Sequence, residues 1–477
     1  MYKYHSYKTI GFLSICLFIL SCKVPDLMQV TENKSVPTSY VDGRDTTNIA
    51  GTAWRSFFTD ENLVNLIDTA LKNNQELQIT LQDIGIAKND MRLRQGQILP
   101  TVNARLGAGV EKVGRYTSQG AGDASTEIAP GIETPDPLMD YSAIVSANWE
   151  VDIWKKLHNA KKAAVARYLS TIEGKNFVLS NLVAEVASSY YELLALDSQL
   201  EIVKQNIDLQ KNALEIIKVQ KQASRVTELA VQKFQAEVLN SQSLEFDIAQ
   251  RIVESENRIN FLLGRYPTPI PRDKQHFLEL EPAAISAGIP SQLLANRPDI
   301  KQAELDLVAA KLDVKVARAE FYPSFAISAA LGFQAFKPSY LVKVPESMLY
   351  SLAGDLAGPL INRNAIKAEF YSANARQLQS MFNYERTILN AYVEVSNQLS
   401  NISNLGKSYA LKSKQVAALT RSIDISNDLF RSARADYLEV LMTQRDALEA
   451  KLEMIDTKKE QLNTTVNVYK SLGGGWR

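Results

Sequence analysis

Two stretches of more than a hundred residues contain no proline, one from Trp154 to Tyr266 and one from Leu360 to the C-terminus. Proline removes a backbone donor and clashes with the preceding helical turn, at about 3 kcal/mol in a helix interior. Its exclusion from both stretches is what very long helices require. In the first, Leu182, Val186, Ser189, Leu193, Leu196, Leu200, Val203, Ile207, Gln210, Leu214 and Ile217 step 4-3-4-3. In the second, Val395, Gln398, Ile402, Leu405, Tyr409, Lys412, Val416, Leu419, Ile423, Ser426 and Phe430 do the same. A period of ~3.5 residues is the pattern of left-handed coiled-coil packing. The pattern breaks near Gln222–Val226 and near Ser432–Asp436, so each stretch reads as a helical hairpin. An arm of ~60 residues is ~90 Å long at 1.5 Å per residue.

The chain is also duplicated. Residues 71–100 align without a gap on residues 294–323, at a constant spacing of 223 residues. Leu71/Leu294, Asn73/Asn296, Asp83/Asp306, Ala87/Ala310, Lys88/Lys311, Asp90/Asp313 and Pro100/Pro323 are identical. A repeat of this length has to be settled before any fold is assigned.

After each of those prolines the periodicity changes to two. Val102, Ala104, Leu106, Ala108 and Val110 interleave with Asn103, Arg105, Gly107, Gly109 and Glu111. Ala143, Val145, Ala147, Trp149 and Val151 interleave with Ser142, Ser146, Asn148, Glu150 and Asp152. Phe325, Ile327, Ala329, Leu331 and Phe333 form the third such run, and a weaker fourth lies near Tyr350–Leu360. Alternation with one polar face predicts strands. Polar or Gly- and Pro-rich loops at 114–140 and 334–347 join the pairs. Trp149 and Trp154 bracket one strand end, where an aromatic belt or a packed core would place them. Four strands cannot close a barrel in lipid, where about eight is the workable minimum. They must either pack on helices as a soluble sheet or pool with strands of other copies, and alternation alone does not choose.

Several function classes are excluded by what is missing. Lys+Arg and Asp+Glu are both 53, so no basic excess points to nucleic acid. No apolar run reaches the ~18 residues of a helical membrane span. The only cysteines are Cys16 and Cys22, and the only histidines His5, His158 and His276. No metal cluster or nucleophile–base pair can be assembled from these, and an enzyme is not expected. Gly473-Gly474-Gly475 lacks the Lys-Ser/Thr of a phosphate loop and reads as a helix stop.

The N-terminus reads as an address. Lys3 and Lys8 precede an apolar run over residues 10–20, too short to span a bilayer and suited to a signal peptide. Ile19-Leu20-Ser21-Cys22 resembles a bacterial lipobox, which implies cleavage before Cys22 and covalent lipid on it. An ordinary signal peptide that happens to contain Cys is the alternative. Lys23 after the Cys favours passage to the outer membrane, and the polar segment that follows reads as a tether.

Longer motifs carry a resemblance to a family. Ala287-Gly288-Ile289-Pro290-Ser291-Gln292-Leu293-Leu294-Ala295-Asn296-Arg297-Pro298-Asp299-Ile300 is similar to the junction between repeats of the TolC-like outer-membrane efflux channels. Phe321-Tyr322-Pro323 is similar to their strand start, and Arg434-Ala435-Asp436-Tyr437-Leu438-Glu439-Val440-Leu441 to their second hairpin turn. Leu263-Gly264 and Tyr469-Lys470-Ser471-Leu472-Gly473-Gly474-Gly475-Trp476 resemble their hairpin ends. The resemblance is to the lipoprotein branch (OprM- and NodT-like) and covers Trp54 to Trp476.

It implies a mainly α chain with a membrane β-barrel. The expected order is a signal peptide at 1–21, a lipid-anchored tether at 22–58 and a first repeat at 59–264. That repeat has strands near 101–113 and 141–153 and a hairpin at 156–264. A linker at 265–290 lies in an equatorial belt. The second repeat at 291–472 has strands near 324–334 and 348–360 and a hairpin at 362–472, before a tail at 473–477. Three copies would form a 12-stranded outer-membrane barrel over a periplasmic α-helical barrel. The implied function is passive conduction of drugs and toxic small molecules, with no cofactor beyond the lipid. The implied partners are an inner-membrane RND transporter, a periplasmic membrane-fusion adaptor and outer-membrane lipid. An exit duct for type I protein secretion, or a periplasmic coiled-coil scaffold lipoprotein, are the competing readings.

The resemblance also places working residues at the hairpin tips. Glu439 falls on an acidic ring of the constriction, able to repel its own copies and to attract a divalent cation. Thr227 and Glu228 fall on the facing tip. Phe430 stands where the family often has Tyr and cannot donate a hydroxyl bond, and Met442 stands where some members have a second acidic ring. Ala223, Ser224, Arg225, Ala433, Arg434 and Asp436 are the expected adaptor contacts.

Overall fold

A computed structural model describes residues 24–27, 30–40, 46–274, 277–359, 361, 363–432 and 434–477. Cys22 and Ala433, and with them the expected lipid site and one tip contact, lie outside the described residues. The helices are α1 (Trp54–Phe57), α2 (Glu61–Asn73), α3 (Gln75–Gly96), α4 (Ser118–Asp123), α5 (Lys156–Gln222), α6 (Glu228–Leu262), α7 (Leu293–Asn296), α8 (Pro298–Ala319), α9 (Asn364–Arg431) and α10 (Tyr437–Ser471). The strands are β1 (Thr101–Glu111), β2 (Glu127–Ala129), β3 (Ile132–Glu133), β4 (Leu138–Val151), β5 (Ser324–Ala335) and β6 (Met348–Ala357).

The proline-free stretches are the hairpins α5–α6 and α9–α10. The arms are unequal: α5 and α9 have 67 and 68 residues, α6 and α10 have 35 each. At 1.5 Å per residue the longer arms extend ~100 Å, so each partner arm covers only about half of them. In the first heptad stripe every position is buried except Leu200, which is half-buried. In the second only Val395 and Ser426 are buried, and the rest are half-exposed within one chain.

The chain divides into two compact units. One holds residues 86–168 and 305–381 with the described residues before 32. Its four-stranded sheet has the order β1-β4-β5-β6, antiparallel throughout. β4 starts at Leu138, earlier than the alternation at 141–153 predicted, and β6 ends at Ala357. The loop before β4 is not featureless, because it carries α4 and the small β2–β3 pair. Beside the sheet, Ala317, Phe321, Phe370 and Ala373 form a small core that Val24 and Leu27 join.

The other unit holds residues 32–85, 169–304 and 382–477. Its main core collects Trp54, Phe58, Leu63 and Ile67 with Val186, Tyr190 and Leu193 of α5, Ile259 and Leu262 of α6, and Leu462, Val466 and Tyr469 of α10. Ile270 and Phe277 of the linker are buried in it. Arg272, 4% exposed at its side chain, bonds Asp197 and, at 2.5 Å, Glu256.

Duplication is visible in the joints as well as in the elements. Each repeat breaks its first helix at an equivalent residue, Asn74 or Arg297. Asn74 Oδ1 accepts from the Leu77 N–H at 3.0 Å, and Asn74 Nδ2 donates to the Leu262 carbonyl at 3.0 Å. Arg297 donates to the Ser471 carbonyl at 2.8 Å, while Pro298 takes the first helical position, where no N–H is needed. Each second hairpin arm then ends in the same glycine turn. Gly264 donates to Phe261 and Arg265 to Asn260; Gly473 donates to Lys470 and Gly474 to Tyr469. Both glycines have positive φ, and a Cβ there would fall 2.4 Å from the Asn73 carbonyl oxygen or 2.6 Å from that of Asn296. A left-handed residue closing the helix and a close backbone approach both demand glycine here.

The described residues of the N-terminal segment, expected as a lipid-anchored tether at 22–58, are held at several points. Asn33 N–H donates to Glu385 at 2.8 Å and Lys34 bonds Glu304 at 2.7 Å. Tyr40 is 5% exposed and stacks on Tyr392. Polar composition suited a tether, but these residues find partners on α8 and α9.

Candidate functional site

Among the described residues the sheet is open at both edges and uncovered over much of both faces. Every β1 residue except Gly107 is exposed. Register aligns the apolar positions into continuous rows: Leu106–Ala143–Phe333–Met348, Ala104–Val145–Leu331–Tyr350 and Val102–Ala147–Ala329–Leu352. Directly paired residues share a face, so these rows make one apolar surface. Leu106, Tyr350 and Leu352 are 86%, 77% and 79% exposed on it. The other face carries Asn103–Ser146–Ala330–Ser351 and Thr101–Asn148–Ser328–Ala353. A soluble sheet would cover the apolar face with helices, and among the described residues nothing does so. β1 and β6 each leave a row of backbone groups unpaired, which hydrocarbon penalises by several kcal/mol per group. Trp149 Nε1 donates to the Ile98 carbonyl at 2.9 Å and Trp154 Nε1 to that of Pro323 at 2.8 Å. Trp154 also stacks on Tyr322. Indoles with an apolar body and a bonded N–H at strand ends suit a membrane–water boundary.

The tips of the two hairpins share one apolar cluster. Leu214, Ile217, Ala230, Val231, Phe234 and Val238 of the first take in Phe430, Tyr437 and Leu441 of the second. Phe430 is therefore half-buried and packs between the two tips. At the first tip Ser224 adopts φ +59°, with Ala223 donating to Val219, Ser224 to Lys221 and Arg225 to Gln220. Thr227 is the N-cap of α6, although its side chain makes no capping bond. Glu228, in the first turn, ion-pairs with Lys221 and accepts from Gln232 Nε2 at 2.8 Å. Those two hydrogen bonds, Gln232 first and then Lys221, hold its carboxyl below the usual range. Both partners belong to its own hairpin. The i,i+4 spacing of Glu228 and Gln232 was legible in the sequence; Lys221, across the turn, was not.

At the second tip Arg434 N–H donates to Leu429 and Glu439 N–H to Asp436, the N-cap of α10. Arg434, Asp436 and Glu439 are all exposed, and Arg434 and Asp436 do not pair with each other among the described residues. Met442, one turn further on, is 45% exposed. Among the described residues no helix is long and apolar enough to cross a membrane.

Comparison with known proteins agrees with this geometry. Residues 66–265 and 289–474 match the model of the outer membrane efflux protein family. The chain is 28% identical over 476 residues to the pyoverdine export outer membrane protein OpmQ of Pseudomonas aeruginosa, covering 99% of this chain and 98% of that one. It is 27% identical over 433 residues to the cation efflux system protein CusC of Escherichia coli, covering 90% of each. The fold superimposes on the open state of the Neisseria gonorrhoeae MtrE outer membrane channel with a TM-score of 0.82 at 20% identity, covering 95% of this chain and 98% of that one. A helical frame with a bare amphipathic sheet, duplicated across the matched residues, makes this chain a member of the outer membrane efflux protein family, a passive channel of the outer membrane and not an enzyme.

Proposed function

We propose that the chain is the outer-membrane duct of a tripartite pump and works as a homotrimer. The observation that carries this is the uncovered apolar face of a sheet with two open edges. Joining β1 of one copy to β6 of the next satisfies both edges, and three copies supply the strands of a 12-stranded barrel. A periplasmic adaptor then meets the exposed tip residues Ala223, Ser224, Arg225, Arg434 and Asp436, and an inner-membrane RND transporter supplies the driving force. The cargo is small molecules, as pyoverdine or cations are for the relatives named above.

Lipid on Cys22 fits the same reading. Val24 and Leu27 pack beside Phe321, just before β5. A lipid on Cys22, two residues before Val24 in the sequence, would tether this part of the chain to the membrane. At the second tip, three exposed copies of Glu439 would supply a cation-attracting ring. Glu228 is neutralised by Lys221 and contributes less.

The test is migration of unboiled protein in detergent together with planar-bilayer recording. A band at three times the boiled mass and discrete conductance steps are expected. A monomer under both conditions, with no conductance, refutes the assembly.

A further inference from the structure

We propose that the loop joining β5 and β6 is a binding site for the phosphorylated headgroup of an outer-leaflet lipid. This rests on reading the sheet as a membrane wall. The loop lies at the end of the sheet opposite Pro100 and Pro323, where the rows Leu331–Tyr350 and Phe333–Met348 terminate. Its centre is Tyr340, held edge-on by Phe336 at 5.1 Å. Two ammonium groups flank that one ring, Lys343 at 4.6 Å and Lys337 at 5.8 Å from its centroid. Neither lysine has a carboxylate partner among the described residues. In the neighbouring loop, by contrast, Lys112 pairs with Asp136 at 3.6 Å.

The loop is a built structure. Pro338–Tyr340 forms a helical turn. The buried Ser347 hydroxyl donates to the Leu341 carbonyl at 2.9 Å or that of Lys343 at 2.6 Å, and Ser347 N–H donates to Lys343 at 3.0 Å. Gln334 N–H donates to the Ser347 carbonyl at 2.8 Å, tying the loop to β5. Val342 and Val344 stand beside the lysines, 82% and 60% exposed. Two like charges gathered on one ring, neither of them ion-paired among the described residues although Glu346 belongs to the same loop, call for an anion. The adjoining exposed aliphatic side chains, in the loop that joins two strands of the apolar face, call for one that carries acyl chains. Tyrosine and lysine are also the residues that sit where acyl chains give way to headgroups.

The experiment reconstitutes wild type, Lys337→Gln/Lys343→Gln and Lys337→Arg/Lys343→Arg into phosphatidylcholine vesicles. The vesicles are doped with a bisphosphorylated diglucosamine lipid or with its dephosphorylated form. Native mass spectrometry after detergent extraction counts the lipid retained per assembly. A basic side chain near a charged membrane surface changes affinity about fivefold, so the Gln pair should retain about 25-fold less phosphorylated lipid. The Arg pair should retain it as wild type does. Equal retention by the Gln pair, or equal retention of the dephosphorylated lipid by wild type, overturns the site. Displacement of the lipid by millimolar inorganic phosphate also overturns it, by making the free anion the ligand. Conductance in the same vesicles separates the two levels of inference. If it is normal in all variants while lipid retention is unchanged, the site alone fails; if no variant inserts, the membrane wall itself is wrong.

Discussion

Replacing Arg297 with Met should unlock the C-terminal end of the second repeat. The guanidinium is 9% exposed and makes four bonds. It grips Asp299 with two nitrogens, at 3.0 and 2.7 Å, and reaches Glu394 and the Ser471 carbonyl at 2.8 Å each. One side chain thus ties the start of α8 to the middle of α9 and the end of α10. Burial works to lower its pKa, yet the Asp299 bonds and the charges of Asp299 and Glu394 raise it. Methionine fills much of the volume but leaves two partly buried carboxylates and a carbonyl without their donor. Breaking a buried pair on one side costs about 3–5 kcal/mol. If the loss falls on local opening, exchange of the amides at Gly473 and Gly474 should accelerate between about a hundred-fold and several-thousand-fold. Hydrogen exchange of the peptide covering 466–477 in the detergent-solubilised protein measures this. Adding Asp299→Asn and Glu394→Gln should recover most of the protection, because no charge is then stranded. A single variant that exchanges within threefold of wild type would falsify the idea that this cluster holds the joint.

Other outcomes follow from the same geometry. Cys22→Ser should abolish incorporation of labelled palmitate while the unboiled trimer persists; loss of both would mean that the anchor is needed for assembly. Glu439→Gln should lower cation preference in a salt-gradient reversal potential, whereas Glu228→Gln should leave it nearly unchanged, since Lys221 already balances that charge. The depressed carboxyl of Glu228 places its stabilising contribution above the ordinary carboxylate pKa of ~4.3. That contribution should fade as pH falls through the lower native value, seen as faster proteolysis at the first tip in acid but not in the Glu228→Gln protein. Gly473→Ala should cut the yield of heat-resistant trimer, through at least ~1 kcal/mol of left-handed backbone cost plus the clash with Asn296; an unchanged yield would show that the turn relaxes.

Long helices, heptad seams and alternating strands were legible because their signals are local and periodic. Proline exclusion and the 4-3 stepping needed no tertiary information. The break at Asn74 was not legible, since it depends on a carbonyl at Leu262, 188 residues away. Nor was the docking of the N-terminal segment, where Asn33 meets Glu385 across 352 residues. The heptad position of Phe430 assigned it to a seam, and within the chain it packs in the tip cluster. Ser224 illustrates the opposite limit. Its left-handed backbone is unusual for a non-glycine residue, and nothing in Ala223-Ser224-Arg225 marks it, because the helix-closing turn imposes it.

The open edges of the sheet also bear on inheritance. In the proposed trimer each edge strand is completed by a neighbour, which makes each copy's fitness depend on the others. In an assembly of three drawn at random from equal pools of sound and edge-damaged chains, only about one in eight contains no damaged member. Edge lesions in β1 or β6 should therefore be dominant when both alleles are expressed, whereas lesions that stop a chain from being made should be recessive.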